Sequence, residues 1–298
     1  MTAPQPEKAG RVSLWPGWRC LVLLGIAGLL LAGCAVRFPL GEPLAGGERL
    51  GVEAAFLAAM AERQEKLLCL DAEAELNWRT LLRSGMLPGY LQAMSPGQLK
   101  FIGLDPLGRP LLALVTDGDF FRLVLVPETR VYEGATTAAS FRRHLPDGLT
   151  PEILPQSIFA LLSGGLPFDS DIVAVYQDPQ GEGYWLEMAA PPRTQLLFGP
   201  GAAADGENAG RSNQVRRIRL YEPGERQPTE IVYGDYRPAA LPAAGASLLL
   251  PHRIELHARR HQGLSLTLRL DDLLTDCGLS AADFQLPVPG SFTREFIQ

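Results

Sequence analysis

The chain has 298 residues, with 33 acidic against 27 basic side chains and a net charge of −6, so it lacks the basic surplus that would hold a polyanion, and nucleic acid is excluded as a partner. Its 31 glycines and 25 prolines call for many turns, which suits antiparallel β structure better than a helical bundle. The length beyond the first 33 residues fits one large domain better than several small ones.

The N-terminus is polar and carries Lys8, Arg11 and Arg19; an almost unbroken apolar run, Leu21 to Gly33, follows. Its 13 residues fall short of the ~20 that a bilayer-spanning helix needs. A basic flank, a short apolar core and small residues at its end read as a secretory signal over residues 1–33. Leu31-Ala32-Gly33-Cys34 resembles the lipobox of bacterial lipoproteins. That resemblance implies cleavage between Gly33 and Cys34, a diacylglyceryl group on the Cys34 sulfur, and anchorage to membrane lipid. Position 35 is Ala rather than Asp, which in the lipoprotein pattern favours the periplasmic face of the outer membrane. With Cys20 lost in the signal and Cys34 lipidated, Cys69 and Cys277 remain, either as a disulfide in an oxidising compartment or as two buried thiols.

Residues 34–51 are rich in Gly and Pro, have no period and read as a flexible tether. From 52 to 70, Val52, Phe56 and Met60 recur at helical spacing with Leu67 near the same face, while Glu53, Glu62, Arg63, Glu65 and Lys66 fall mostly elsewhere. From Asp71 to Leu82 the period drops to two, with Ala72, Ala74, Leu76 and Trp78 on one side, a half-buried strand. Met86, Leu87, Tyr90 and Leu91 flank Pro88-Gly89 and read as an apolar loop that either folds back on the core or meets lipid or a partner. Residues 99–104, 111–116, 120–126 and 130–133 form a four-strand meander with turns at Asp105–Gly108 and Asp117-Gly118.

A helix is expected from Thr150 to Gly164, with Leu154, Ile158 and Leu161 at i, i+4, i+7. Strands resume at 172–177, 184–189, 194–198, 215–221 and 229–236; 199–213 reads as a mobile loop and Pro238–Gly245 as irregular. The last two strands alternate most clearly, with Ile254, Leu256 and Ala258, then Leu264, Leu266, Leu268 and Leu270, on one face. The sum is a mainly β domain over 52–298, about ten or eleven strands in one curved antiparallel sheet with two helices.

The order of features resembles the LolA/LolB lipoprotein-carrier superfamily. An N-terminal helix precedes a meander; Thr116-Asp117-Gly118 leads through strand residues to Pro127; a short helix interrupts the strands at Ile158–Pro167; Leu250-Pro251-His252-Arg253-Ile254 and Phe284–Gly290 close the chain. With the lipobox, the membrane-anchored LolB side is the more similar. The resemblance implies an unclosed antiparallel β half-barrel with a helical lid over an apolar cavity, and a cargo of acyl chains or lipoproteins received from a periplasmic carrier protein. Trp78, Phe121, Leu154, Ile158, Leu161, Leu266 and Leu268 are the expected cavity lining. Burial at ~0.8 kcal/mol per CH₂ gives a 16-carbon chain on the order of 10 kcal/mol before entropy and reorganisation costs. A non-carrier lipoprotein that uses the same fold to dock a protein, or to sense the envelope, is the alternative.

No phosphate-binding glycine loop, HExxH, Cys-x-x-Cys or Gly-x-Ser-x-Gly occurs. His257 falls on a polar strand face, and Asp169/Asp171 and Asp271-Asp272 read as turn residues. No catalytic residue, metal or cofactor is therefore expected.

Overall fold

The computed structural model describes residues 40–80, 82–137, 157–167, 170–189, 192–200, 213–221, 227–241, 247–258 and 263–297. The expected signal segment, Cys34, Leu154 and most of the expected 199–213 loop lie outside the described residues. One helix, α1 (Gly46–Lys66), precedes six strands: β1 (Cys69–Arg79), β2 (Ser84–Met94), β3 (Gln98–Leu104), β4 (Pro110–Thr116), β5 (Phe120–Leu125) and β6 (Arg130–Ala135). A short helix, α2 (Ile158–Leu162), leads to β7 (Ile172–Gln177), β8 (Tyr184–Met188), β9 (Arg193–Pro200), β10 (Asn213–Tyr221), β11 (Thr229–Ala240), β12 (Ser247–Ala258) and β13 (Leu264–Leu274). A 3₁₀ turn, Ala281–Phe284, and β14 (Thr293–Ile297) end the chain.

All the described strands belong to one unclosed sheet of fourteen, in the order β14-β6-β5-β4-β3-β2-β1-β13-β12-β11-β10-β9-β8-β7. It is two antiparallel meanders, β1–β6 and β7–β13, sewn together where β1 pairs with β13. Only β14 runs parallel to its neighbour, β6. Register shifts at Asp71/Glu73, Gly103/Leu104, Ile172/Ala174 and Val215/Arg217 add local twist, which lets so wide a sheet curl.

Both helices pack on the same face of the sheet. Phe56 of α1 is fully buried edge-to-face against Phe198, with ring centroids 5.1 Å apart. Phe159 and Leu162 of α2 join Leu70, Leu91, Leu248, Leu250 and Leu270 in a second part of the core. On the opposite face, Ala113, Val124 and Val131 are covered by Leu286, Val288 and Phe292 of the C-terminal segment. Cys69 and Cys277 are joined in a disulfide, with Cα atoms 6.2 Å apart, tying the start of β1 to the segment after β13.

Several expectations are corrected. The tether ends early. Leu44 donates to Val175 O and Gln177 donates to Glu42 O, so residues 42–44 cover part of the edge of β7, and α1 starts at Gly46 rather than Val52. The helix also stops at Lys66, releasing Cys69 and Leu70 into β1. Met86, Leu87, Tyr90 and Leu91 are no loop: they belong to β2, with Leu87 and Leu91 buried and Met86 and Tyr90 exposed. Pro88 is accommodated because β2 pairs there with β1 alone; pairing with β3 starts at Gly89. Fourteen strands are described, where ten or eleven are expected; β2 and β14 are among those that read as irregular in sequence. Pro238 and Ala239, expected in an irregular stretch, continue β11 to Ala240 opposite β12.

Candidate functional site

Residues paired directly across antiparallel strands project to the same face. The register therefore lays out two rows on the helix-covered face. One runs Tyr233, Ile254, Leu268, Leu76, Leu87 across β11, β12, β13, β1 and β2. The other runs Ile231, Leu256, Leu266, Trp78, Gly85 across the same strands. The ends of these rows on β11 are buried, but Ile254, Leu256, Leu266, Leu268, Leu76 and Trp78 are only half-buried. They form a continuous apolar stripe that stays partly exposed. Gly85 makes room for the Trp78 indole: a Cβ on Gly85 would stand 2.0 Å from the ring. Gly103 does the same for Leu87, at 2.4 Å.

Helix α2 brings Ile158 and Leu161 to the same face. Ile158 packs against the core of β1–β3, and Leu161 against the core beneath α1; Ile254 touches both. Of the seven expected lining residues, the fold thus gathers Trp78, Ile158, Leu161, Leu266 and Leu268. Phe121 stands apart on β5. It is buried, lies against Gly134, and lines an 810 Å³ cleft with Phe120, Phe284, Leu286 and Phe296 between the C-terminal segment and the β4–β6–β14 edge. Leu154 lies outside the described residues. A second cleft, of 580 Å³, opens beside Trp78 and is walled by Asn77, Met86, Arg253, Glu255 and Thr267.

One polar group of the interior departs from expectation. The sequence sets Arg63 among the charged residues of α1, yet it is 4% exposed. The signal was present, because Arg63 stands seven residues after Phe56 on the apolar stripe of the helix. Its Nη1 donates to Ser163 O at the end of α2, and its Nη2 donates to Gln214 Oε1 and, at 3.2 Å, to Leu249 O. Burial pushes the Arg63 guanidinium below its ordinary range, against an opposing influence of Tyr236 and Tyr233. The same burial drives the Tyr233 and Tyr236 phenols upward, so both stay neutral. Tyr236 donates to Val215 O, whereas Tyr233 Oη and Arg63 Nε have no hydrogen-bond partner among the described residues.

The remaining titratable groups do not converge. His252 is buried with Nδ1 2.7 Å from Leu270 O, and His257 bonds Glu255 and Ser265 on the solvated face. Among the described residues no three His, Cys, Asp or Glu side chains are grouped to hold a metal ion, and no helix is long and apolar enough to cross a membrane.

No family model matches the sequence, and no curated protein matches it. Solved structures do share its architecture. A domain assigned to outer membrane lipoprotein sorting in Vibrio parahaemolyticus aligns with a TM-score of 0.51 at 13% identity, over 80% of this chain and 96% of its own. A LolA superfamily protein from Nitrosomonas europaea gives 0.51 at 9% identity, over 78% and 97%. A DUF1329 family protein from Desulfovibrio piger gives 0.53 at 13% identity, over 78% and 97%. At such identities the likeness is one of fold, and the fold is LolA/LolB-like.

Proposed function

We propose that this protein is a non-enzymatic, lipid-anchored carrier. It is held through Cys34 at the periplasmic face of the outer membrane, and it takes acyl chains of lipids or lipoproteins from a periplasmic carrier protein into its helix-covered groove. The observation that carries this reading is the apolar stripe left half-buried beneath the helices, from Ile254 and Leu256 through Leu266 and Leu268 to Leu76 and Trp78. A filled core would bury such side chains completely, whereas a guest hydrocarbon would complete their contacts. The LolA-like fold supports the reading, as does the assignment of one structural neighbour to lipoprotein sorting.

The exterior supports work at a membrane. The β1–β2 and β3–β4 hairpins are neighbours that turn at the same end of the sheet, and their tips carry Leu82 and Leu107, 85% and 77% exposed, flanked by Arg79, Arg83 and Arg109. Apolar tips set among arginines suit insertion into an anionic lipid surface.

The test is direct. Protein purified from the membrane and gently denatured should release stoichiometric acyl lipid, read by mass spectrometry. Leu161→Asp combined with Leu266→Asp should abolish that lipid while leaving cooperative unfolding intact. A folded double variant that still carries lipid, or a wild-type protein free of lipid that binds no fatty-acid probe, refutes the carrier and leaves the docking role.

A further inference from the structure

The interior beneath α1 holds a polar group. Arg63 carries a full positive charge into the interior, and its described partners are all neutral: two backbone carbonyls and an amide oxygen. Among the described residues no carboxylate lies within ion-pair distance of it; Glu62, its neighbour on α1, acts on it only from farther off and is itself paired with Lys66. A buried charge with no directly paired counter-charge is costly, and proteins ordinarily supply one. Two donors in the same place also lack acceptors, Arg63 Nε–H and Tyr233 Oη–H, each on a residue only 4% exposed. An acceptor with two oxygens and one negative charge would meet both needs.

Tyr233 further fixes where that acceptor belongs. It begins the row that continues through Ile254, Leu268 and Leu76 to Leu87. At ~4.8 Å per strand the row extends roughly 19 Å from β11 to β2. Tyr233, within electrostatic reach of the Arg63 cation, stands at one end and aliphatic side chains along the rest, which is the outline of a single-chain amphiphile.

We propose that Arg63 and Tyr233 are the headgroup site of the groove, and that they receive the carboxylate of a free fatty acid whose chain lies along Ile254, Leu268 and Leu76. This inference rests on the acyl-chain reading given above. The carboxylate accepts from Arg63 Nε–H and Tyr233 Oη–H and neutralises the guanidinium. Gln214 and the carbonyls of Ser163 and Leu249 hold the guanidinium in place, as positioning groups.

The experiment compares cis-parinaric acid with its uncharged methyl ester. Both are followed by energy transfer from tryptophan in the full chain held in nanodiscs, with empty nanodiscs as the blank. Wild type should bind the acid at least about tenfold more tightly than the ester. Arg63→Gln should bring the two to equal affinity, with ester binding retained. Tyr233→Phe, which keeps the ring and its packing, should weaken the acid severalfold and leave the ester unchanged; it decides the matter if Arg63→Gln does not fold. Equal affinity of wild type for acid and ester overturns the headgroup site while leaving an acyl groove intact. So does an acid preference unchanged in a folded Arg63→Gln or Tyr233→Phe variant. Binding of neither probe overturns the groove itself, and the headgroup site with it.

Discussion

Replacing Cys69 and Cys277 together by alanine should cost this protein more stability than any single surface change. The two are 208 residues apart in sequence, so the bridge closes nearly the whole domain into one loop. In the chain-entropy description a loop of that length removes enough freedom from the unfolded chain to stabilise the fold by ~5 kcal/mol, and ~2–5 kcal/mol is the range met in practice. The bridge also restrains the segment that crosses the outer face, so part of the loss should appear locally, around Leu286, Val288 and Phe292. With a urea m value of about 3 kcal/mol/M, the midpoint should fall by about 0.7–1.7 M, and m itself should rise as the unfolded chain expands. Urea titrations of the oxidised protein and the double-alanine variant, followed by tryptophan fluorescence and by far-UV circular dichroism, supply the number. A midpoint drop below ~0.3 M, with m unchanged, would falsify the claim that the bridge constrains the unfolded chain.

Phe56→Ala should cost about 3–5 kcal/mol and loosen α1 from the sheet, because the ring is fully buried against Phe198; thermal unfolding with helix-sensitive dichroism reads both effects. Gly89→Ala should destabilise by ~3 kcal/mol, since its Cβ would stand 2.1 Å from Ile102 O in the adjacent backbone; an unchanged unfolding midpoint would refute the close β2–β3 approach. The Asp105 carboxyl is held below its ordinary range by the Arg109 backbone N–H and then by the Arg109 side chain. A lowered folded-state value means that its contribution is present above about pH 4 and is lost as pH falls through the folded value. The amide proton resonances of Leu107 and Arg109, both bonded to Asp105 Oδ1, should therefore shift together below pH 4 in wild type and stay still in Asp105→Asn.

Period-two alternation made most of the sheet legible in the sequence. Ile172–Gln177 matches β7 residue for residue, and the alternating leucines of β13 expose the inner face at once. Local pattern failed where a strand depends on a distant partner. Pro88-Gly89 has the chemistry of a turn, and only the register shows that Pro88 needs no donor toward β3 and that Gly89 must lack a side chain beneath Ile102 O. β14 has charges at Arg294 and Glu295 and gains its strand geometry from parallel pairing with β6, more than 150 residues earlier in the chain. Trp78, Leu266 and Leu268 could be chosen from alternation alone, because alternation fixes faces. Phe121 could not be separated from them, since which strands are neighbours is decided by β1 joining β13, not β6. Arg63 lay on the apolar stripe of α1 in plain view, but a charged residue on such a stripe is ordinarily read as its margin.

The placement of that charge carries a consequence for salt. The protein is acidic overall, so at long range it repels anions, and any fatty acid drawn to a patch of its surface arginines would be released as ionic strength rises. Surface charges fade over a Debye length of ~8 Å at physiological ionic strength, whereas a guanidinium enclosed by protein is screened far less. The preference for acid over ester probe should therefore be nearly the same in 50 mM and 500 mM sodium chloride, though the association rate changes. If the preference instead falls by an order of magnitude across that range, the anion is being held by exposed side chains such as Arg79, Arg83 and Arg109, and the interior cation of α1 serves only to fasten the helices to the sheet.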